Sequence, residues 1–412
     1  MIITKIKIFL KLIKLLIIRN IYRKTKIKIF YPFTSTNLHE KNAEIFFGYY
    51  DLCPFNPKNE KIVLACKTKI KQKTNIPIQI GFFNLDDKIK KFNKLSTSKA
   101  WCWQQGCRLR WLNEKTIIYN DLIDNTYRAV IRNVEENKIK KIIKFPIYDV
   151  LPQSQMGLSL NFSRLENQRP GYGYNALIDE WEDSLYPEYD GIWSVNLKTN
   201  KQKLIFSLKD AHDFKFQESM KNSIHYFNHI SWNPNGTRLL VFHIWHKKNK
   251  QRNIRVLTMN KDGSDTFLLT DENYASHYWW INNKKILLYS SENGIKCFNL
   301  YDDKQGFIKS LNNSILKSDG HPSFNKRKSL MLSDTLLDRF NERNLYIYSV
   351  KNKTKKKVGD FYSPPQFTND YKCDLHPRWS QDNMISVDSS HLGYRNMLII
   401  KSKNLKFSDS DI

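Results

Sequence analysis

The stretch "HISWNPNGTRLLVFHIWHKKNKQRNIRVLTMNKDGSDTFLLT", residues 229–270, decides the fold. Its runs "HISW", "TRLLVFHIW", "NIRVLTMN" and "TFLLT" are rich in the β-branched and aromatic residues that favour strands. The segments "NPNG" and "KDGSD" supply the asparagine, aspartate and glycine of tight turns. Four strands in about 45 residues have the size of one blade of a β-propeller.

The start of this stretch recurs along the chain. In four segments a histidine stands three residues before an aromatic residue: His229 before Trp232, His277 before Trp280, His321 before Phe324, and His376 before Trp379. The gaps between these histidines are 48, 44 and 55 residues. Such a period indicates a repeat architecture.

Short strand-like runs continue from about residue 45 to the C-terminus, and long helical patterns are scarce, so the class is all-β. The sequence predicts a seven-bladed β-propeller of four-stranded antiparallel blades over residues 41–412. The third blade carries an insertion at about 163–192, and a loop of that length is typically functional. The predicted blades start near Gly48, Cys107, Tyr148, His229, His277, His321 and His376.

Residues 1–40 differ from the rest of the chain. The first 30 residues carry nine basic and no acidic side chains, and lysines at 7, 11 and 14 interrupt the apolar run before it could span a bilayer. We expect a basic amphipathic N-terminal helix that contacts an anionic membrane surface through residues 1–30. An uncleaved export signal and a simple terminal helix are the alternatives. The expected location is cytoplasmic or peripheral to the cytoplasmic membrane, with export left open.

The formal charge of +27 predicts attraction to anions, although lysine, asparagine and isoleucine are abundant throughout and composition alone explains part of it. No nucleic-acid-binding motif accompanies the charge, so we expect an acidic polysaccharide or oligosaccharide rather than nucleic acid. The six cysteines form no C-x-x-C pair and predict buried thiols rather than a disulfide scaffold. We expect a monomer.

Equivalent positions of successive blades face one another around a propeller axis. The histidines at 229, 277, 321 and 376 should therefore meet, and neutral imidazoles suit a divalent metal such as Mn²⁺ or Zn²⁺. The alternative is that each histidine stabilises a neighbouring blade.

The first half of the ring offers other polar groups at comparable places. Arginine matches a carboxylate bidentately, and tyrosine, glutamine and asparagine line sugar subsites. The predicted substrate-binding residues are Tyr50, Asp51, Gln104, Gln105, Arg108, Asn120, Asp121, Arg169 and Arg378.

Several ordered motifs carry a resemblance to a known family: "GYYD", "QQGCRLRWL", "IIYND", "RPGYGY", "DGHPSF" and "YSPPQFTNDYKCDLHPRWS". Over residues 45–400 the chain resembles the seven-bladed propellers related to oligogalacturonate lyases and ulvan lyases, within the broader TolB-like propellers. The resemblance implies β-elimination on a uronic-acid-containing polysaccharide, with a histidine-held metal. It implies His229, His277, His321 and His376 as metal ligands.

The remaining catalytic roles follow from what the reaction needs. The uronate carboxylate must be neutralised, and a base must take the C5 proton. We assign Arg164 and Arg108 as carboxylate clamps and Tyr172 or Tyr174 as the proton-transfer group. The chain has no histidine between positions 40 and 211, whereas ulvan lyases place a catalytic histidine in the early blades. The alternative function is a non-catalytic propeller that binds a glycan or protein in capsule or O-antigen biosynthesis.

Overall fold

The computed structural model describes residues 25–248, 251–311 and 314–402, and its strands form seven antiparallel sheets in sequence order around a ring. The seven-bladed, all-β propeller is confirmed. The predicted N-terminal helix falls mostly on residues 1–24, which lie outside the described residues. No helix within the described ranges combines the length and apolar character that crossing a bilayer requires.

Each blade is a four-stranded meander whose first strand lies nearest the axis. The first three blades comprise β3 (Ala43–Phe46), β4 (Ile62–Lys69), β5 (Ile78–Asn84) and β6 (Asn93–Ser98); β7 (Arg110–Trp111), β8 (Thr116–Ile123), β9 (Thr126–Asn133) and β10 (Lys138–Ile143); and β11 (Asp149–Leu151), β12 (Met156–Ser159), β13 (Gly191–Asn196) and β14 (Lys201–Ser207).

The remaining blades follow the same order. Blades four to seven comprise β15 (Ile224–Trp232), β16 (Arg238–His246), β17 (Asn253–Asn260) and β18 (Phe267–Thr270); β19 (Ala275–Trp280), β20 (Lys285–Glu292), β21 (Ile295–Asp302) and β22 (Gly306–Ser310); β23 (Ser323–Phe324), β24 (Leu330–Ser333), β25 (Glu342–Ser349) and β26 (Thr354–Tyr362); and β27 (Arg378–Trp379), β28 (Ile385–Ser389) and β29 (Asn396–Ser402).

Two strands before residue 40 complete the ring. Strand β2 (Phe33–Leu38) pairs with β29 and is the fourth strand of blade seven, and β1 (Ile27–Ile29) adds a fifth strand to β26 of blade six. The propeller therefore begins before the predicted boundary at residue 40. The hydrogen bonds between β2 and β29 join the first and last parts of the described chain.

The middle strands are buried on both faces because each blade packs between two neighbours. In β16 every residue from Arg238 to Trp245 is buried, whereas the outer strand β22 is largely exposed. This explains why the inner runs read as continuous apolar stretches rather than as alternating ones. All six cysteines are free thiols.

The insertion of the third blade lies between β12 and β13. It contains helix α1 (Phe162–Gln168), and the described residues include one further α-helix, α2 (Leu208–Asp213), after β14. Asn161 caps α1 by accepting a hydrogen bond from the Arg164 amide, and Ser207 and Asp210 form a capping box on α2. Three short 3₁₀ turns occur at Pro152–Ser154, Glu218–Met220 and Asn369–Tyr371.

Candidate functional site

Four histidines from successive blades meet at the propeller axis. The ring centroids of His277 and His321 are 4.0 Å apart, and those of His321 and His376 are 4.4 Å apart. The Tyr49 ring packs at the centre, 4.7 Å from His376 and stacked 5.3 Å from His229. These four histidines are called the axial histidines below. They are buried, with His277 the most exposed at 7%.

The backbone at two of the axial histidines is unusual. His229 has φ 54° and His376 has φ 43°, which is the left-handed region that non-glycine residues rarely adopt. At His229 the pairing between β15 and β16 also shifts register between Asn228 and Ser231. Such strain persists where the surrounding structure fixes it, and here it accompanies side chains directed at the axis.

The segment "GYYD" enters the axis through Gly48. Gly48 has φ +133°, and a Cβ there would lie 2.9 Å from the Gln105 backbone. Its amide donates to Asp388, which also accepts from the Phe47 amide. A side chain at position 48 would therefore displace Tyr49 from the axial histidines.

Carboxylates orient two of the axial histidines. Nδ1 of His321 lies 2.8 Å from Asp334 Oδ1, and Nδ1 of His277 lies 3.0 Å from Asp319 Oδ1. A carboxylate accepts the Nδ1 proton, so each neutral ring carries its lone pair on Nε2. A carboxylate behind the ring is typical of metal-binding and proton-accepting histidines.

A candidate metal-binding triad comprises His321, Asp374 and His376. One ligand atom from each residue lies within 4.8 Å of the other two. Nε2 of His321 and Nε2 of His376 are buried and have no hydrogen-bond partner among the described residues. Two free imidazole nitrogens beside a carboxylate suit Mn²⁺ or Zn²⁺. His229 and His277 are close by but outside this triad.

Burial and neighbouring positive charges keep His229, His277 and His376 neutral. Burial lowers the pKa of His229 well below its ordinary value, and the positive charges of Arg169 and Arg108 act in the same direction. Burial likewise lowers the pKa of His277 and of His376, and each is lowered further by the neighbouring His321. Their lone pairs are therefore available near neutral pH.

Tyr172 of the insertion stands between two cations at the edge of the axial histidines. The Arg169 guanidinium lies 3.9 Å from the centre of its ring, the Lys372 ammonium 5.9 Å, and the ring of His229 6.1 Å. Burial by itself raises the pKa of Tyr172, but the charges of Arg169 and Lys372 outweigh burial and bring this pKa below its ordinary 10.0. The two cations thus stabilise the phenolate relative to a buried tyrosine without them.

Lys372 connects Tyr172 to the triad. Its ammonium lies 2.8 Å from Asp374 Oδ2, and Arg343 lies 2.5 Å from Asp374 Oδ1. Burial raises the pKa of Asp374, but Arg343 and Lys372 lower it well below the ordinary value. Gln104 fixes the loop, since its Nε2 donates to the carbonyls of Lys372 and Asp370 at 2.8 and 3.1 Å.

Arg169 is the predicted arginine whose guanidinium bonds to Tyr172 rather than to a carboxylate. Among the described residues it has no carboxylate partner, and its side chain is partly exposed. A carboxylate ligand therefore has an unpaired cation to bind beside Tyr172.

Arg164 does not serve as the predicted carboxylate clamp. Its guanidinium pairs with Asp179 at 3.2 Å and donates to the carbonyls of His225, Trp181, Ser184 and Leu185. All of its donors are therefore used to hold the insertion on blade four.

Arg108 and Arg378 also have protein partners. Arg108 forms a bidentate pair with Asp51 at 2.7 and 3.2 Å and donates to Gln105 Oε1 at 3.1 Å. Arg378 donates to the Tyr49 carbonyl and pairs with Asp388 at 3.0 Å. Both join neighbouring blades, which leaves Asp51, Arg108 and Arg378 in structural roles.

Three further predicted residues, Tyr174, Asn120 and Asp121, also make structural contacts. Tyr174 stacks on Phe162 at 4.3 Å and accepts from Asn120, and burial raises its pKa well above the ordinary value. Asp121 accepts from two backbone amides. Tyr172, not Tyr174, is therefore the proton-transfer candidate.

Two predicted polar residues remain close to the axial histidines. Tyr50 packs 5.2 Å from the His321 ring, although its hydroxyl is bonded to the Tyr278 backbone. Nε2 of Gln105 is buried without a hydrogen-bond partner among the described residues.

Sequence reasoning missed three residues of this site: Asp334, Lys372 and Asp374. A signal existed for one of them, because "DGHPSF" and "DLHPRW" both place an aspartate two residues before the histidine. Asp334 follows β24 and Lys372 lies in a loop, so neither stands in register with the repeat.

Comparisons with known proteins give the fold. No protein-family model matches the chain, and no curated protein matches it in sequence. Among solved structures, an oligogalacturonate lyase from Vibrio parahaemolyticus superposes with a TM-score of 0.62 at 12% identity, over 92% of this chain and 97% of that one. The chain shares the propeller fold of that lyase.

Other propellers superpose less well. The β-propeller domain of the Trilobed protease from Pyrococcus furiosus gives a TM-score of 0.49 at 13% identity, over 90% of this chain and 99% of that one. TolB from Acinetobacter baumannii gives 0.38 at 12% identity, over 84% and 81%.

Proposed function

We propose that this propeller is a polysaccharide lyase that cleaves a uronic-acid-containing polysaccharide by β-elimination. The observation that carries the proposal is Tyr172, a tyrosine of lowered pKa that stands between Arg169 and Lys372 beside neutral histidines. One cluster thus contains a base in Tyr172, two carboxylate-binding cations in Arg169 and Lys372, and histidines that can carry protons. The fold similarity to an oligogalacturonate lyase agrees with this chemistry.

The elimination assigns a task to each group. Arg169 and Lys372 pair with the uronate carboxylate, which makes the C5 proton acidic. The Tyr172 phenolate takes that proton, the electron pair of the C5–H bond becomes the C4–C5 double bond, and the C4–O bond breaks. The neutral phenol of Tyr172 then gives the proton to the departing glycosidic oxygen.

The axial histidines would hold a divalent metal through His321 and His376, with Asp374 as the third ligand. Mn²⁺ or Zn²⁺ bound there would draw electron density from the substrate carboxylate. The residues fit because two buried Nε2 atoms otherwise lack a partner and because Asp334 orients the His321 ring. Arg169 and Lys372 supply positive charge by themselves, so the metal adds to an existing cationic site.

An assay for the unsaturated product tests the proposal. The purified protein is incubated with polygalacturonate, alginate, glycosaminoglycans and ulvan, with Mn²⁺, with Zn²⁺ and with a chelator, and the ultraviolet absorbance of the new double bond is followed. We expect a rise with at least one uronate polymer and no rise with Tyr172→Phe. Cleavage without that absorbance, or no cleavage of any polymer, would reject β-elimination.

A second candidate is a non-catalytic propeller that binds an acidic glycan or a protein during capsule or O-antigen assembly. The burial of the axial histidines favours it, since none of these four residues is more than 7% exposed. The basic segment 1–30 would then bring the protein to an anionic membrane. Binding of an acidic glycan without turnover, together with sedimentation on anionic vesicles that is lost on deleting residues 1–24, would support this candidate.

A further inference from the structure

A polar cavity lies beside the loop that carries Lys372. It has a volume of about 610 Å³, which is within the range of roughly 300–1,000 Å³ that is usual for small-molecule sites. Four segments border it: the β4–β5 loop, the loop before β7, the insertion of the third blade, and the loop between β26 and β27. Its lining includes Lys71, Lys73, Trp103, Asn175 and Tyr371. This cavity is called the lysine–tryptophan groove below.

The aromatic wall of the groove is rigid. The rings of Trp103 and Tyr371 meet edge to face at 4.9 Å, and the Arg395 guanidinium lies 4.6 Å from the Trp103 ring. Arg395 also donates to the Tyr371 carbonyl at 2.7 Å, and the Tyr371 hydroxyl bonds to Glu44. Trp103 is 5% exposed and packs behind Tyr371, so the partly exposed Tyr371 ring, held in place, is the aromatic surface that a sugar ring could contact at little entropic cost.

The charge of the groove is complementary to an acidic glycan. Lys71 and Lys73 are exposed, and among the described residues neither has an ion-pair partner, whereas Asp370 is the one carboxylate that lines the groove. Asn175 donates to Thr74 at 2.6 Å and so connects the insertion to the lysine-bearing loop. Lysine ammonium and amide groups on one wall match carboxylate and hydroxyl groups on a glycan.

The groove adjoins the site described above through one shared loop. Tyr371 lines it, and the next residue is Lys372, whose ammonium reaches both Tyr172 and Asp374. Gln104 fixes this junction through the carbonyls of Asp370 and Lys372. A glycan with one uronate at Tyr172 would therefore extend into the groove.

We propose that the lysine–tryptophan groove binds the next sugar residues of the same acidic polysaccharide chain, with Lys71 and Lys73 on a second uronate carboxylate. The proposal rests on the proposed function for the identity of the polymer, but not for its cleavage. It predicts that long uronate oligomers bind more tightly than short ones.

Calorimetric titration tests the groove with dimers and hexamers of galacturonate, mannuronate and glucuronate. The parent for binding is Tyr172→Phe, which prevents turnover. We expect the preferred hexamer to bind about tenfold more tightly than its dimer, and Lys71→Gln/Lys73→Gln to remove that preference while dimer binding stays within about twofold. Lys88→Gln/Lys91→Gln is the matched control, because these lysines are exposed on the same blade beyond the other end of β5.

The outcomes separate the two proposals. Three results would contradict the proposed role of the groove. They are an unchanged hexamer preference in Lys71→Gln/Lys73→Gln, an equal loss of that preference in the control pair, and no binding of any oligomer. Groove-dependent binding without any unsaturated product from the wild-type protein would reject the lyase activity and keep the groove.

Discussion

Two clusters of buried histidines in this propeller differ in how their ring nitrogens are satisfied. Within blade four, Arg255 Nε donates to His243 Nδ1 at 3.0 Å, His243 Nε2 lies 2.8 Å from His225 Nδ1, and His225 Nε2 lies 3.3 Å from the Met220 carbonyl. Among the axial histidines, by contrast, the Nε2 atoms of His321 and His376 have no hydrogen-bond partner in the described part of the chain. A closed hydrogen-bond chain stabilises a fold, whereas open buried nitrogens indicate a ligand.

The blade-four cluster has a structural purpose that its contacts explain. The other Arg255 nitrogens donate to the carbonyls of Ala211, Phe214 and Lys215, at the C-terminal end of α2. Guanidinium groups are favourable there because the last helical carbonyls lack partners. The histidines of blade four therefore stabilise the fold, whereas the axial histidines leave ring nitrogens available for a ligand.

The largest expected effect is on catalysis. Tyr172→Phe keeps the ring packed near His229 but removes the hydroxyl, so kcat should fall by about 10²–10⁴ in the lyase assay. Tyr174→Phe is the matched control, because Tyr174 lies two residues away in the same insertion and its hydroxyl accepts a structural hydrogen bond from Asn120. A kcat in Tyr172→Phe that stays near the wild-type value would remove Tyr172 from the proton transfer.

The comparison between the clusters is tested by matched substitutions. His243→Asn leaves the buried Arg255 Nε and His225 Nδ1 unpaired and should lower the free energy of unfolding by about 3 kcal/mol. His376→Asn removes a ring that lacks a partner at Nε2, and asparagine tolerates the left-handed backbone, so its cost should stay below about 1 kcal/mol. Urea denaturation measures both. Equal losses would show that the axial histidines are also structural.

A third prediction concerns the carboxylate behind the candidate metal ligand. Asp334→Asn keeps the shape of the side chain but weakens the contact with His321 Nδ1, so the affinity for Mn²⁺ or Zn²⁺ should fall by about 10–100-fold. Competition with a chelating dye gives the affinity. The control is Asp382→Asn, because Asp382 is exposed. Asp388 is unsuitable as a control position, because its carboxylate accepts from the Phe47 amide and so holds blade one. An unchanged affinity would place the metal elsewhere.

The smallest effect is on the pH dependence of stability. Burial lowers the pKa of His225 to about 3, from 6.5. Between pH 6.5 and pH 3 this histidine is protonated in the unfolded chain but not in the folded chain. The free energy of unfolding therefore falls as the pH drops below 6.5, by up to about 1.4 kcal/mol per pH unit for this group. We expect His225→Phe to show a shallower slope between pH 6.5 and pH 4 than wild type or the exposed His39→Gln. Parallel slopes would contradict this origin.

The sequence was sufficient for the fold because the repeat is written in local patterns. Blades four to seven each carry a histidine and an aromatic residue in or just before the inner strand, and short strand-like runs separated by turn residues extend the same pattern to the first three blades. The closing strand β2 was not predicted. "FTSTNL" is short and polar, and its partner β29 lies more than 350 residues away in sequence, beyond the reach of any local pattern.

The sequence predicted the site residues that the repeat places at equivalent positions of successive blades. It did not predict the roles of residues that depend on their hydrogen-bond and ion-pair partners. The repeat brought His321 and His376 together. It could not show that Arg164 donates to Asp179 and to backbone carbonyls, whereas Arg169 packs on Tyr172 without a carboxylate partner among the described residues. Arg164 and Arg169 lie five residues apart in one insertion, and the sequence alone does not distinguish their roles. Their roles separate only once Asp179 and Tyr172 are placed beside them.

The pairing of β2 with β29 has a consequence for how the protein is made. Tyr49 emerges early from the ribosome, whereas His376 and β29 emerge more than 300 residues later. Until then the axis lacks one of its histidines, and β2 lacks the strand with which it pairs. The cluster of axial histidines is therefore completed only once blade seven has been translated, and a nascent chain that stalls earlier lacks it.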